Sequence, residues 1–132
     1  MIRAGGALGA LLILGACMAD APRPDPAAEV YDSLCAACHG PGGRGDGGLA
    51  GDLPVRPADL TQLAARNDGV FPSDAVIAQV HGYPDRYHTD IMPQFGPLFT
   101  GARVTVTTAD GARMDTPRAL LDLVRYVETL QR

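Results

Sequence analysis

The chain has no tryptophan and no lysine, and its aromatic residues stop at three Phe and four Tyr among 132 residues. A single short domain with so few aromatics has limited means of filling a core, and a large apolar cofactor would complete it. Positive charge is also in short supply: 15 acidic residues face 11 basic ones, for a formal charge of −4. That balance argues against nucleic acid as a partner. No long apolar segment is available to cross a bilayer, because the run Ala4 to Ala16 has 13 residues where a spanning helix takes about 20.

That short run has another use. One positive charge in Met1 to Arg3, followed by an apolar stretch rich in Gly, Ala and Leu, has the layout of a secretory signal. It ends in Leu14-Gly15-Ala16-Cys17, which resembles the lipobox of bacterial lipoproteins, where cleavage leaves a Cys whose sulfur receives diacylglycerol. The competing reading is an ordinary signal peptide cut nearby, with Cys17 incidental. On the lipoprotein reading residues 1–16 are a signal peptide that is removed, and Cys17 anchors the chain to a membrane on the periplasmic side of a bacterial cell envelope. Residues 17–26, with Pro22, Pro24 and Pro26 at alternate positions, read as a Pro-rich tether, and residues 27–132 as the domain it carries.

Within the domain, Cys35-Ala36-Ala37-Cys38-His39 is a C-x-x-C-H run, the attachment signature of c-type haem. Residues three apart on a helical turn project from one side, so Cys35 and Cys38 can each form a thioether to one vinyl group of the same haem. His39 then sits under the iron as proximal ligand. Two readings compete. A C-x-x-C pair can be a redox disulfide, although no early strand and no thioredoxin-like unit accompany it. Zinc would need two further ligands, for which only His81 and His88 are available.

A haem iron that passes electrons needs a second axial ligand that stays bound in both oxidation states. Met92, Met114, His81 and His88 are the candidates. Met92 lies in Ile91-Met92-Pro93-Gln94-Phe95-Gly96, where Pro93 stiffens the loop and Phe95 suits packing against a porphyrin. Its soft sulfur favours Fe(II) and raises the reduction potential. The competing reading for Met92 is a core methionine. Met114, between Arg113 and Asp115, reads as a surface or packing residue, and His81 and His88 as polar residues near the haem edge.

Together the haem run and the Met-Pro-x-Phe segment resemble the class I (monohaem) c-type cytochromes, and the resemblance covers residues 27–132. It implies an all-α fold of four or five helices around one covalent haem c, with His39 and Met92 as the iron's axial ligands. It also implies that a proline carbonyl accepts the Nδ1 proton of His39, which maps to Pro57, or else to Pro54. The family crosses its first and last helices at a small residue beside aromatics, which maps to Ala27, Tyr31 and Tyr126.

Periodicity outlines the elements. Ala27, Val30, Tyr31 and Leu34 give a first helix its apolar face; Asp59 to Arg66 reads as a short helix with Leu60 and Leu63 on one side. Ser73 is placed to cap a helix through His81 that buries Val76, Ile77 and Val80. A last helix is expected with Thr116 as N-cap, Pro117 in its first turn and Leu120, Leu121, Val124, Val127 and Leu130 at helical spacing to the C-terminus. The glycines of Gly40 to Gly48 let backbone pass close to a flat cofactor; a phosphate cradle is the rival, but the Lys and Ser/Thr of a P-loop are missing. Gly101 to Met114 suggests a small β-hairpin, an insertion beyond the minimal fold that shields the haem's Met side, offers a docking surface, or is neutral. Tyr83, Arg86 and Tyr87 are candidates to meet a haem propionate, with solvated surface as the equal alternative.

The expected function is one-electron transfer by a membrane-tethered carrier that is not itself an enzyme. A haem c subunit of a larger oxidoreductase and a haem-based ligand sensor are the alternatives. The expected partners are the membrane, through the lipid, and redox proteins with basic docking faces that suit an anionic chain; the chain is a monomer or a complex subunit.

Overall fold

Asp25 and Pro26 start the first helix. The Asp25 carboxylate accepts the Ala27 N–H at 2.9 Å, and Pro26 occupies the first helical position, where its missing N–H costs nothing. The computed structural model describes residues 23–84 and 91–132. The signal segment 1–16, Cys17, most of the tether, and Arg86, Tyr87 and His88 lie outside them. The described residues contain four α-helices: α1 (Pro26–Leu34), α2 (Ala36–His39), α3 (Ser73–His81) and α4 (Arg118–Thr129). With 3-10 turns between them and one two-stranded hairpin, β1 (Arg103–Thr107) and β2 (Arg113–Pro117), this is the helical fold with a small hairpin that the sequence implied.

Helix α4 is the spine. Leu120, Leu123, Val124 and Val127 are buried on its inner face, and α1 and α3 both pack against it. Each such side chain taken out of water is worth roughly 1.5–3 kcal/mol. The crossing of α1 with α4 sits where it was expected: Ala27 is buried, and the Tyr31 and Tyr126 rings lie 5.3 Å apart at 51°.

Three boundaries differ from the sequence reading. The helix expected from Asp59 to Arg66 is two 3-10 turns, Leu60–Gln62 and Ala65–Asn67. The cause is Gln131, whose amide accepts from Ala64 N at 2.9 Å and donates to Leu60 O at 2.7 Å. It thereby stands between the two groups that an α-helical bond would join. Ser73 opens α3 without capping it; the N-cap position belongs to Pro72 and no side chain fills the role. Thr116 is not an N-cap either, because β2 continues through Pro117 and pairs Thr116 with Val104. Fully buried, Thr116 donates its hydroxyl to Met114 O. Met114 faces the core from the same strand, which settles it as a packing residue.

Candidate functional site

The Cys35–His39 run forms where α1 ends. Cys35 gives its N–H to Tyr31 O at 2.8 Å, and its carbonyl then receives both Cys38 N at 3.2 Å and His39 N at 2.9 Å. One tight turn therefore carries both cysteines and the imidazole. Both thiols are free; Cys35 is buried in the apolar core and Cys38 is half-buried. Burial, and secondarily the neighbouring Cys38, pushes the Cys35 thiol up to about 11. Thiol–disulfide exchange needs an attacking thiolate, so Cys35 is poorly suited to be the attacking thiol of the redox-disulfide reading. Among the described residues no group of three His, Cys, Asp or Glu that could hold a metal occurs; His88, one of the zinc candidates, lies outside them.

The chain then folds back over the turn. Gly40, at φ 80°, reverses its direction, and Gly45 N, Gly47 N and Leu49 N bond to the carbonyls of His39, Cys38 and Ala37 at 2.8, 3.1 and 2.9 Å. From below, the buried Tyr31 hydroxyl donates to Gly40 O at 2.7 Å. Gly45 has φ 72°, and a Cβ there would lie 2.3 Å from Pro57 O; the missing side chain lets the 56–59 segment close on the turn.

That closure delivers a carbonyl to the imidazole. His39 Nδ1 lies 2.9 Å from Ala58 O. A carbonyl only accepts, so Nδ1 carries the proton and Nε2 keeps a lone pair for a ligand. The acceptor is Ala58 and not Pro57 or Pro54, which corrects the sequence expectation by one residue. Successive carbonyls in extended chain point to opposite sides; that of Pro57 faces Gly45, so the next one faces the ring.

The Met92–Phe95 segment runs along the last turn of α3. Phe95 N bonds to Val80 O at 2.9 Å, and Gly96 is pressed so close that a Cβ there would be 2.5 Å from His81 O. Met92 is half-buried against the apolar cluster that includes Cys35, and Gln79 Nε2 approaches its sulfur at 3.9 Å.

A family model described as cytochrome c matches residues 25–131. The chain belongs to the cytochrome c family. No curated protein and no solved structure gives a match. The cytochrome c family binds c-type haem covalently and uses it in electron transfer, in domains that are typically extracytoplasmic. The residues of this cytochrome fit that group: two free thiols on one turn, an imidazole with its outer nitrogen fixed in the protonated form, and a soft thioether.

Some expected residues do other work. Tyr83 stacks on His81 with ring centroids 3.7 Å apart, and its hydroxyl donates to Asp115 O on the hairpin. It ties α3 to the insertion, so its hydroxyl is engaged within the protein and does not stand ready for a propionate. His81 Nδ1 is buried without a hydrogen-bond partner, and burial, then the Arg103 charge, holds its imidazole below its ordinary range. Sequence reasoning missed Ala58, whose contribution is a backbone carbonyl and leaves no side-chain signal. It also missed Gln79, an amide within the apolar stretch of α3 from Ala75 to Val80, which was visible as the odd residue between Ala78 and Val80.

Proposed function

We propose that this cytochrome is a one-electron carrier whose haem is joined by thioethers to Cys35 and Cys38 and ligated by His39 and Met92. The observation that carries the reading is the His39–Ala58 hydrogen bond of 2.9 Å, on the same turn as both cysteines. Bound haem supplies a reversible Fe(III)/Fe(II) couple. Cys35 and Cys38 fix the position of the group, and the Ala58 carbonyl holds the His39 ring and increases the basicity of Nε2. Met92 offers a ligand soft enough to stay bound to the reduced metal. No substrate bond is made or broken. Lipid on Cys17 would tether the domain to a membrane outside the cytoplasm and raise its effective concentration near membrane-bound redox partners.

The test is to express the mature domain in a host with c-type haem maturation and record oxidised and reduced absorption spectra, alone and as Met92→Ala. Haem that survives denaturation, with a weak far-red Fe(III)-thioether band lost only in the variant, is the expected result. Covalent haem without that band in the unmutated protein removes Met92 from the iron and turns the reading towards a ligand sensor. Haem that is not covalent overturns the assignment of Cys35 and Cys38.

A further inference from the structure

Beyond the haem turn, the fold gathers positive charge that the sequence scatters. Arg44 comes from the glycine loop, Arg56 from the extended segment, and Arg66 from the second 3-10 turn. All three line one cleft of ≈ 440 Å³ together with Pro57, Ala58 and Asp59. They are exposed, and none closes an ion pair among the described residues. Asp59, the acid in the cleft's lining, accepts Thr61 N at 2.9 Å and Thr61 Oγ1 at 2.7 Å and also faces the Arg66 and Arg44 charges; those hydrogen bonds, together with the charges, lower its pKa. Three guanidiniums against one engaged carboxylate leave a surplus of two positive charges, in a chain whose formal charge is −4.

We propose that this cleft docks a carboxylate-bearing patch of an acidic redox partner. Arg guanidiniums are planar forks that bind carboxylates bidentately, and three of them converging from separate segments suit a cluster of acids on a folded surface. A concave cleft on an otherwise acidic chain matches a protein knob better than a flat anionic bilayer, which the rest of the molecule would repel. The position adds a functional link that rests on the carrier reading. Ala58 lines the cleft and its carbonyl holds His39, so a partner docked here stands one hydrogen bond from the iron's proximal ligand. A carrier has to meet both a donor and an acceptor. A net acidic chain that carries a basic cleft can tell them apart by sign.

The experiment uses the haem-loaded protein and a fluorescently labelled hexaglutamate peptide, with binding read by anisotropy at low and at physiological salt. Arg44→Gln/Arg66→Gln spares the Arg56 hydrogen bond to Gly45 O and guards against loop collapse in the triple variant that adds Arg56→Gln. Binding that weakens with salt, falls about fivefold in the double variant and about tenfold or more in the triple, and is unchanged in Arg125→Gln on α4, supports the proposal. Equal binding by the unmutated and triple-variant proteins overturns it, as does an absence of binding at low salt. Preference for phosphatidylglycerol vesicles over the peptide, lost in the triple variant, also overturns it and assigns the cleft to a lipid surface. Loss of haem or a changed haem spectrum in the triple variant, with peptide binding intact, assigns the arginines to the haem's own carboxylates instead. Peptide binding requires no electron transfer, so its failure is distinct from a failure of haem attachment or of Met92 ligation.

Discussion

The His39 side and the Met92 side of this cytochrome are built by different means. Around His39, the chain is tied by the three backbone bonds that return from Gly45, Gly47 and Leu49, by the Tyr31 hydroxyl below and by the Ala58 carbonyl beside the ring. The Met92 segment is laid along α3 by a backbone bond from Phe95, by the close approach of Gly96, and by a 3.9 Å contact from Gln79 to sulfur. Sulfur is a weak acceptor, so that contact orients more than it holds. The difference teaches that His39 is held by backbone returning on its own turn, whereas Met92 is held by a segment laid against a helix and by side-chain packing. Stability therefore depends most on the first side, and responsiveness to conditions belongs to the second.

The sharpest way to break the contrast is at Gly45. Alanine there would have to adopt φ 72° and place its Cβ 2.3 Å from Pro57 O, an approach that backbone cannot relieve cheaply. Left-handed backbone alone costs about 1–2 kcal/mol for a residue with a Cβ, and with the clash the expected loss is about 3 kcal/mol or more. Gly48→Ala, a few residues on, meets nothing within 4 Å and is expected to change stability by no more than about 0.5 kcal/mol. Denaturant midpoints of the two haem-loaded variants give the comparison. Equal midpoints would mean that the glycine loop does not hold the His39 side.

Tyr31→Phe is the next test in size. It keeps the ring packed against Tyr126 but removes the buried hydroxyl donor to Gly40 O, which still accepts from Gly43 N at 3.1 Å. The expected loss is about 1–2 kcal/mol, in the same assay. A cost near zero would show that water replaces the hydroxyl at this site.

Much of this was legible in the sequence, and the exceptions have physical causes. The cytochrome c fold, the α1–α4 crossing and the hairpin were readable because each rests on side chains at fixed spacing. Helix periodicity also located α3 and α4, although Leu123 was missed from the buried face of α4. What could not be read depends on distant partners. Gln131 breaks the 59–66 helix from more than 60 residues away, and nothing local marks it. Thr116 and Pro117 carry a convincing helix-start pattern, but strand pairing with β1 outweighs a cap worth about 1 kcal/mol. Ala58 acts through its backbone, and three arginines spread over 23 positions become one cleft only after folding.

The smallest expected effect is the one that separates the two sides by pH. His81 lies under the Met92 segment, stacked on Tyr83, pressed by Gly96, and facing Arg103, which itself pairs with Asp115 at 2.5 Å. Burial first, and Arg103 second, lowers its folded pKa below the ordinary imidazole value of 6.5. Above that value His81 is neutral in both folded and unfolded chains, and its contribution is fully present. As pH falls below it, the unfolded chain takes up the proton more readily, and stability is lost. His81→Phe keeps a ring on Tyr83 and removes the titration. Denaturant midpoints at pH 7 and pH 5 are therefore expected to differ less in His81→Phe than in the unmutated protein, with the far-red Met92 band giving a local readout. An identical drop in both proteins would place the acid sensitivity elsewhere, and the two sides would then differ in architecture alone.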